Sequence, residues 1–224
     1  MTSNDLLSVD FAQIVPLWFN REKTLEKIAQ YISDAVNQGC SLVGFDEAVV
    51  PCYPFWLEFT DGAVLNSSIQ KEIHAEYMCH AVSIERGDLN EICSLAKARS
   101  IAVYFGCIER SIDRGGHSLY CSMVLLTVMS IGDGNELRVP SLVRSALYAQ
   151  DEDLHVCIFP GSHCNTYDIT LFIAEESRSF DVTASDLMRK QDFPIDLIHR
   201  DKILEHAPDI FANGGSCVTN PDGT

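Results

Sequence analysis

Apolar residues in the first part of the chain follow two periods, and the change of period predicts strands and helices in alternation. One stripe recurs every three or four residues, as the buried face of a helix does: Leu25, Ile28, Ile32 and Val36. Short apolar runs at 6–15 and 41–45 flank this stripe and are typical of strands. Asn20 is a predicted N-cap, and Gly39 is a predicted helix end. A strand–helix–strand unit favours parallel pairing with a right-handed crossover, so we predict an α/β fold.

The rest of the chain continues this alternation. Apolar periodicity predicts further helices at 69–84, 89–99, 141–150 and 168–177. Strands are predicted at 101–108, 118–129, 154–159, 180–188 and 216–218, and the first two form a hairpin. No repeat or linker interrupts residues 1–224, so we predict a single domain. Glu47 follows the strand at 41–45, and α/β sheets usually carry their sites at the carboxyl ends of strands.

Charge and cysteine content narrow the class of protein. The formal net charge of −16 argues against binding to nucleic acid or to an anionic membrane surface. No apolar run is long enough to cross a bilayer, and residues 1–5 do not resemble a secretory signal. The nine cysteines lie singly, without a Cys-x-x-Cys pair, so we expect reduced thiols in a cytoplasmic protein. We expect no cofactor.

An ordered series of segments resembles the nitrilase branch of the carbon–nitrogen hydrolases. It begins with Lys-Thr-Leu-Glu-Lys at 23–27 and Phe-Asp-Glu-Ala at 45–48, and it continues at 104–110, 118–122, 132–134, 144–149, 160–162 and 174–179. The resemblance implies an α–β–β–α sandwich and the hydrolysis of a nitrile or an amide with release of ammonia. It makes Glu47 the general base and suggests Tyr53 and Trp56 as substrate contacts. It also implies a homo-oligomer that pairs through 141–150 and 168–177.

Three parts of that family's catalytic set have no counterpart in this chain. A lysine and a second glutamate should follow the central hairpin, but Ser130 leads almost directly to the Gly-Asp-Gly turn at 132–134. A cysteine nucleophile should precede the next helix, but Val139 is followed at once by Pro140. We therefore predict internal deletions near 128–132 and 139–141, a truncated C-terminus and an incomplete sandwich.

These gaps bear directly on activity. A nitrile or amide carbon is a poor electrophile, and its attack needs a thiolate and a nearby cation. We therefore predict that the chain is inactive as a hydrolase. If the pocket forms without the lysine, burial among aromatic side chains should raise the pKa of Glu47.

Three alternatives stay open. The first is an active hydrolase with an unrecognised nucleophile, either Cys164 beside His163 or Cys52. The second is a non-catalytic relic that binds a partner. The third is a metal site, because His155 and Cys157 share one strand face and are followed by His163 and Cys164. Their spacing is not a recognised zinc pattern, so we expect no metal.

Overall fold

The computed structural model describes residues 7–60, 62, 64–112, 117–126, 148 and 152–224, without the side chain of Asn165. Its strands are β1 (Val9–Phe11), β2 (Leu42–Gly44), β3 (Ala102–Glu109), β4 (Tyr120–Leu126), β5 (Leu154–Phe159), β6 (Phe180–Ser185), β7 (Leu187–Arg189), β8 (Ile210–Asn213) and β9 (Cys217–Thr219). Its helices are α1 (Arg21–Asn37), α2 (Trp56–Phe59), α3 (Ser68–His80), α4 (Asn90–Arg99), α5 (His163–Ser177) and α6 (Arg200–Leu204). No helix in these described ranges is long and apolar enough to span a membrane.

Helix α1 begins and ends where the sequence predicts. The side chain of Asn20 accepts a hydrogen bond from the backbone N–H of Lys23 at 3.1 Å, which satisfies a donor that the helix itself leaves unpaired. Gly39 follows the helix with a φ of +81°, a conformation that glycine adopts without strain. Strands β1 and β2, on either side of α1, pair in parallel. The predicted strand–helix–strand unit is therefore confirmed.

The strands of the described residues form three sheets. A four-stranded sheet has the order β1-β2-β3-β4, a three-stranded sheet has the order β5-β6-β9, and β7 pairs with β8. Strands β2 and β3 are parallel, and β3 and β4 form the predicted antiparallel hairpin. Strands β5 and β6 are parallel, with β9 antiparallel to β6.

Successive side chains of β3 point to two different layers. Val103 and Phe105 are buried in a cluster with α1 and α4, so these helices cover the outer face of the four-stranded sheet. Ile108 belongs to a second cluster, with Met188 and Ala212 of the C-terminal half. Helix α5 packs against β6. This order of layers agrees with the predicted α–β–β–α sandwich.

The C-terminal half corrects three predictions. Helix α5 begins at His163 and not at 168, because the helical bond from Thr166 N to Ser162 O at 2.9 Å continues through residues that resemble a loop. The strand predicted at 180–188 is two strands in different sheets, with Asp186 between them. Helix α6 and strand β8 were not predicted. The two expected deletions and the helix expected at 141–150 lie outside the described residues, except Tyr148, which is helical.

Candidate active site

Glu47 lies in a turn that closes over a glycine of the neighbouring strand. The turn starts where Gly106 N of β3 donates to Asp46 O at 3.1 Å. The turn can approach β3 this closely because Gly106 has no side chain. A Cβ there would lie 2.5 Å from Ala48 N and 2.8 Å from Glu47 Cα. Within the turn, Ala48 takes a left-handed φ of +52°. Glu47 thus sits just after the carboxyl end of β2, as predicted.

Cys121 of β4 is the hydrogen-bond partner of Glu47. Its thiol donates to Glu47 Oε1, with Sγ and Oε1 3.2 Å apart. Burial raises the pKa of Glu47, and the bond from Cys121 offsets part of that rise. Burial of the thiol and the charge of Glu47 together raise the pKa of Cys121 to about 12. At neutral pH the pair is therefore a neutral thiol beside a carboxyl group.

No lysine acts on this carboxyl group. The sequence has six lysines, and all of them belong to the part of the chain that the structure describes. Lys27 donates to the carbonyl of Val15 at 2.8 Å, and Lys202 pairs with Glu205 at 3.2 Å. Within the described ranges, no lysine pairs with Glu47 or contributes to its raised pKa. The raised pKa of Glu47 agrees with the direction expected for a site without its lysine.

Two aspartates form a buried acid pair beside Glu47. Asp46 is 0% exposed and Asp186 is 4% exposed, and each carboxyl group affects the pKa of the other. Asp46 Oδ2 also accepts from Ile14 N at 3.4 Å. Burial raises the pKa of Asp46, while burial and the charges of Asp46 and Glu47 raise the pKa of Asp186. Such a pair holds one proton between two carboxyl groups.

The aromatic residues expected to contact substrate divide between the site and the core. Tyr53 is partly buried, and its pKa is raised by burial and by the charges of Glu47, Cys121 and Asp186, so it belongs to the site. Trp56 is 2% exposed and packs edge-on against Tyr77, with ring centroids 6.0 Å apart. Trp56 is therefore a core side chain, because the one-turn helix α2 directs it inward.

The cysteines proposed as substitutes for the nucleophile occupy different places. Cys52 is 1% exposed, and burial raises the pKa of its thiol well above the usual range. Cys164 is exposed in the first turn of α5, with its Sγ 3.0 Å from Ser162 Oγ. The neighbouring His163 stacks on Tyr167, with ring centroids 5.5 Å apart. Sequence reasoning did not single out Cys121, although it lies in the hairpin segment at 118–122 that the family resemblance uses.

Asp186 was also missed. The sequence signal that could have found it is its position at the end of a strand. Asp46 follows the apolar strand that ends at Phe45, and Asp186 follows β6 in the same way.

A cavity of about 420 Å³ lies elsewhere, between the start of α1 and residues 194–198. Its lining includes Trp18, Leu197 and Lys23 but neither Asp46 nor Asp186.

Comparisons with known proteins agree with the geometry. Residues 9–130, more than half of the chain, match a family model described as carbon-nitrogen hydrolase. Nitrilase 2 of Arabidopsis thaliana is 23% identical over 264 residues, covering 100% of this chain and 76% of that protein. An arylacetonitrilase of Macrophomina phaseolina is 31% identical over 121 residues, covering 54% of this chain and 32% of that protein. An aliphatic nitrilase of Rhodococcus rhodochrous is 23% identical and covers 66% of this chain and 49% of that protein.

The chain thus spans about a third to a half of the latter two relatives. Similar solved structures include an amidase from Nesterenkonia sp. AN1, with a TM-score of 0.60, 15% identity, and coverage of 98% of this chain and 87% of that one. Nit3 of Saccharomyces cerevisiae, a member of the nitrilase superfamily, has a TM-score of 0.62 and 11% identity, covering 97% of this chain and 83% of that one. At these identities the likeness shows the fold, and it confirms the predicted sandwich architecture.

Proposed function

Because the chain belongs to the carbon–nitrogen hydrolase family, we propose that it is a homologue that keeps the family's glutamate but not a working catalytic set. One observation carries the proposal: the hydrogen-bond partner of Glu47 is a neutral thiol, and no lysine acts on its carboxyl group. A carboxylate without a neighbouring ammonium can neither favour a thiolate nor stabilise charge that develops on the substrate. We therefore expect no hydrolysis of nitriles or amides at a rate typical of the family.

A second candidate function rests on the contact between Cys121 and Glu47. In it the Cys121 thiol gives its proton to the Glu47 carboxylate as sulfur bonds to the nitrile or amide carbon, and Glu47 passes that proton to the substrate nitrogen. An amide then loses its nitrogen as ammonia and leaves a thioester on Cys121, whereas a nitrile leaves a thioimidate, which one water converts to the same thioester with release of ammonia. A further water hydrolyses the thioester to the carboxylic acid and restores the thiol. A thiol pKa of about 12 makes the first proton transfer to a carboxylate strongly uphill. This candidate therefore supports only a slow reaction.

Ammonia release distinguishes the two candidates. The substrates are aliphatic nitriles, arylacetonitriles and small amides, chosen from the names of the relatives above. We expect the full chain and its Glu47→Gln variant to release ammonia at indistinguishable rates at neutral pH. Turnover that is lost in both Glu47→Gln and Cys121→Ser, but is kept in the matched surface variant Cys164→Ser, would overturn the main proposal and establish Cys121 as nucleophile. Turnover lost in Cys164→Ser alone would identify that thiol.

Self-association belongs to the same proposal. The exposed face of α5 carries large apolar side chains, with Tyr167 44%, Ile169 37% and Phe172 55% exposed. We propose that a second copy of the chain covers this face, through 168–177 and 141–150. Size-exclusion chromatography with light scattering tests this, since a compact monomer at micromolar concentration contradicts it.

Compartment and chain architecture complete the proposal. None of the nine cysteines, all of which the structure describes, forms a disulfide, which supports a cytoplasmic location because thiols stay reduced there. We propose one domain with internal deletions near 128–132 and 139–141. The match to nitrilase 2 supports the deletions, because it extends over 264 residues where this chain has 224. Sequencing the transcript across the codons for 129–140 tests them directly.

A further inference from the structure

The layer between α5 and the three-stranded sheet is polar, although a helix usually buries apolar side chains against a sheet. Along β6 the positions that face α5 are Asp181, Thr183 and Ser185, all 0% exposed. Hydroxyl groups of helix α5 form hydrogen bonds with these residues. Thr170 Oγ1 lies 2.8 Å from Thr183 Oγ1, and Thr166 Oγ1 lies 3.3 Å from Ser185 Oγ. A buried polar layer of this kind is stable only when its groups have partners.

One end of this layer gathers three metal-binding side chains. His155 and Cys157 are two residues apart on β5, and the strand register places His155 beside Asp181 of β6. The three side chains are 6%, 8% and 0% exposed, respectively. One potential ligand atom from each lies within 4.8 Å of those of the other two. Cys157 Sγ is 3.7 Å from Asp181 Oδ2.

A fourth residue prepares the histidine for a metal. His155 Nδ1 lies 2.7 Å from Glu152 Oε1, so the imidazole can donate an Nδ1 proton to that carboxylate, which leaves Nε2 available to a metal. A carboxylate behind a metal-binding histidine is a common arrangement, because it fixes the ring and increases its basicity. Thr183 Oγ1 orients Asp181 in a similar way, at 3.1 Å from Oδ1.

We propose that His155, Cys157 and Asp181 bind one divalent zinc-class cation between β5 and β6. Imidazole, thiolate and carboxylate are all zinc ligands, and in a tetrahedral site their donor atoms lie about 3.5 Å apart. Shifts of about 1 Å in side chains therefore suffice to close the site around the ion. The two charges of the cation balance those of a thiolate and a carboxylate that otherwise share a buried space. This set keeps His155 and Cys157 from the sequence-based alternative and replaces His163 and Cys164 with Asp181.

Titration of the chelator-treated full chain with Zn²⁺, and with Co²⁺ as a spectroscopic probe, tests the site. We expect one equivalent to bind, with release of protons and with thiolate-to-cobalt charge-transfer absorption. Cys157→Ser and Asp181→Asn should each weaken binding at least about 100-fold, and Glu152→Gln should weaken it roughly 10–100-fold. The matched thiol variant Cys164→Ser should bind as the parent chain does.

Either of two results with the parent chain and the cysteine variants would overturn the proposal. One is a folded parent chain that takes up no Zn²⁺ or Co²⁺. The other is uptake that is undiminished in Cys157→Ser or is lost in Cys164→Ser, because the metal is then elsewhere. Circular dichroism identifies a ligand variant that does not fold. In that case Glu152→Gln carries the test, since it changes no ligand, and unchanged affinity in that variant also overturns the proposal.

Discussion

The close approach of the Glu47 turn to β3 predicts that Gly106→Ala destabilises the protein and displaces Glu47. The new Cβ would lie 2.5 Å from Ala48 N, 2.8 Å from Glu47 Cα and 3.0 Å from Glu47 C, where ordinary contacts begin at 3.4 Å. The turn must therefore move by up to about 0.9 Å. All three atoms belong to the backbone, so no side-chain rotation can relieve the contact.

The expected magnitude follows from two opposing effects. Overpacking of this kind typically costs about 1–3 kcal/mol. Replacing a strand glycine by alanine returns roughly 0.5–1 kcal/mol of chain entropy. The net loss in the free energy of unfolding should lie between about 0 and 2.5 kcal/mol, with a central value of about 1 kcal/mol, which urea denaturation with linear extrapolation can resolve.

Gly44→Ala in the adjacent strand β2 is the matched control. Its Cβ would meet the ring of Phe11 at 2.5 Å, and Phe11 is only partly buried, so its ring can rotate away. This variant should lose less stability than Gly106→Ala. Combining Gly106→Ala with Glu47→Gln completes a double-mutant cycle. If the turn moves as argued, the pH-dependent effect of Glu47→Gln should be smaller in the Gly106→Ala background. A Gly106→Ala protein as stable as its parent, or a control that loses equally, would refute the reasoning.

Two further predictions concern carboxyl groups. Because the pKa of Glu47 is raised on folding, this group stabilises the fold below its unfolded pKa of about 4.3 and loses that contribution as pH rises through the folded pKa. Glu47→Gln should therefore be as stable as the parent at neutral pH or up to roughly 1 kcal/mol more stable; a clearly lower urea midpoint at neutral pH would mean that a cation faces Glu47. The raised pKa values of Asp46 and Asp186 have the same sign, so Asp186→Asn should stabilise the protein at pH 8 relative to pH 4, by roughly 1–3 kcal/mol. Asp209 is exposed, so the control Asp209→Asn removes no buried carboxyl group, and equal effects of the two variants would contradict the shared-proton pair.

Local signals predicted the N-terminal half of the fold well. Asn20 and Gly39 mark the ends of α1 by side-chain capping and by a left-handed backbone, and both effects depend on residues within one helical turn. The position of Glu47 after β2 followed from the strand–helix–strand order. The start of α5 was missed for a related reason, because short polar residues at 162–165 fit a loop as well as a first helical turn.

The pairings within the site could not be read in this way. Cys121 meets Glu47 across 74 residues of sequence, and Asp186 meets Asp46 across the two halves of the chain. Contacts of this kind depend on strand register and on how the sheets pack. The hydrophobic periodicity of a single segment determines neither of these. The position of Trp56 could not be predicted for the same reason. Its motif fits either a substrate pocket or the core, and in the structure Trp56 packs against Tyr77 in the core.

The acid pair has a consequence for the order in which the molecule assembles. Asp46 belongs to the half that builds the four-stranded sheet, and Asp186 belongs to the half that builds the other two sheets. Each half can form most of its strand pairs alone, but the two carboxylates repel each other when the halves meet. A proton is therefore taken up when the two halves dock onto each other and not when the strands form within each half. Acidity should accordingly speed the joining of the halves, and alkaline conditions should leave two formed halves that are slow to dock onto one another.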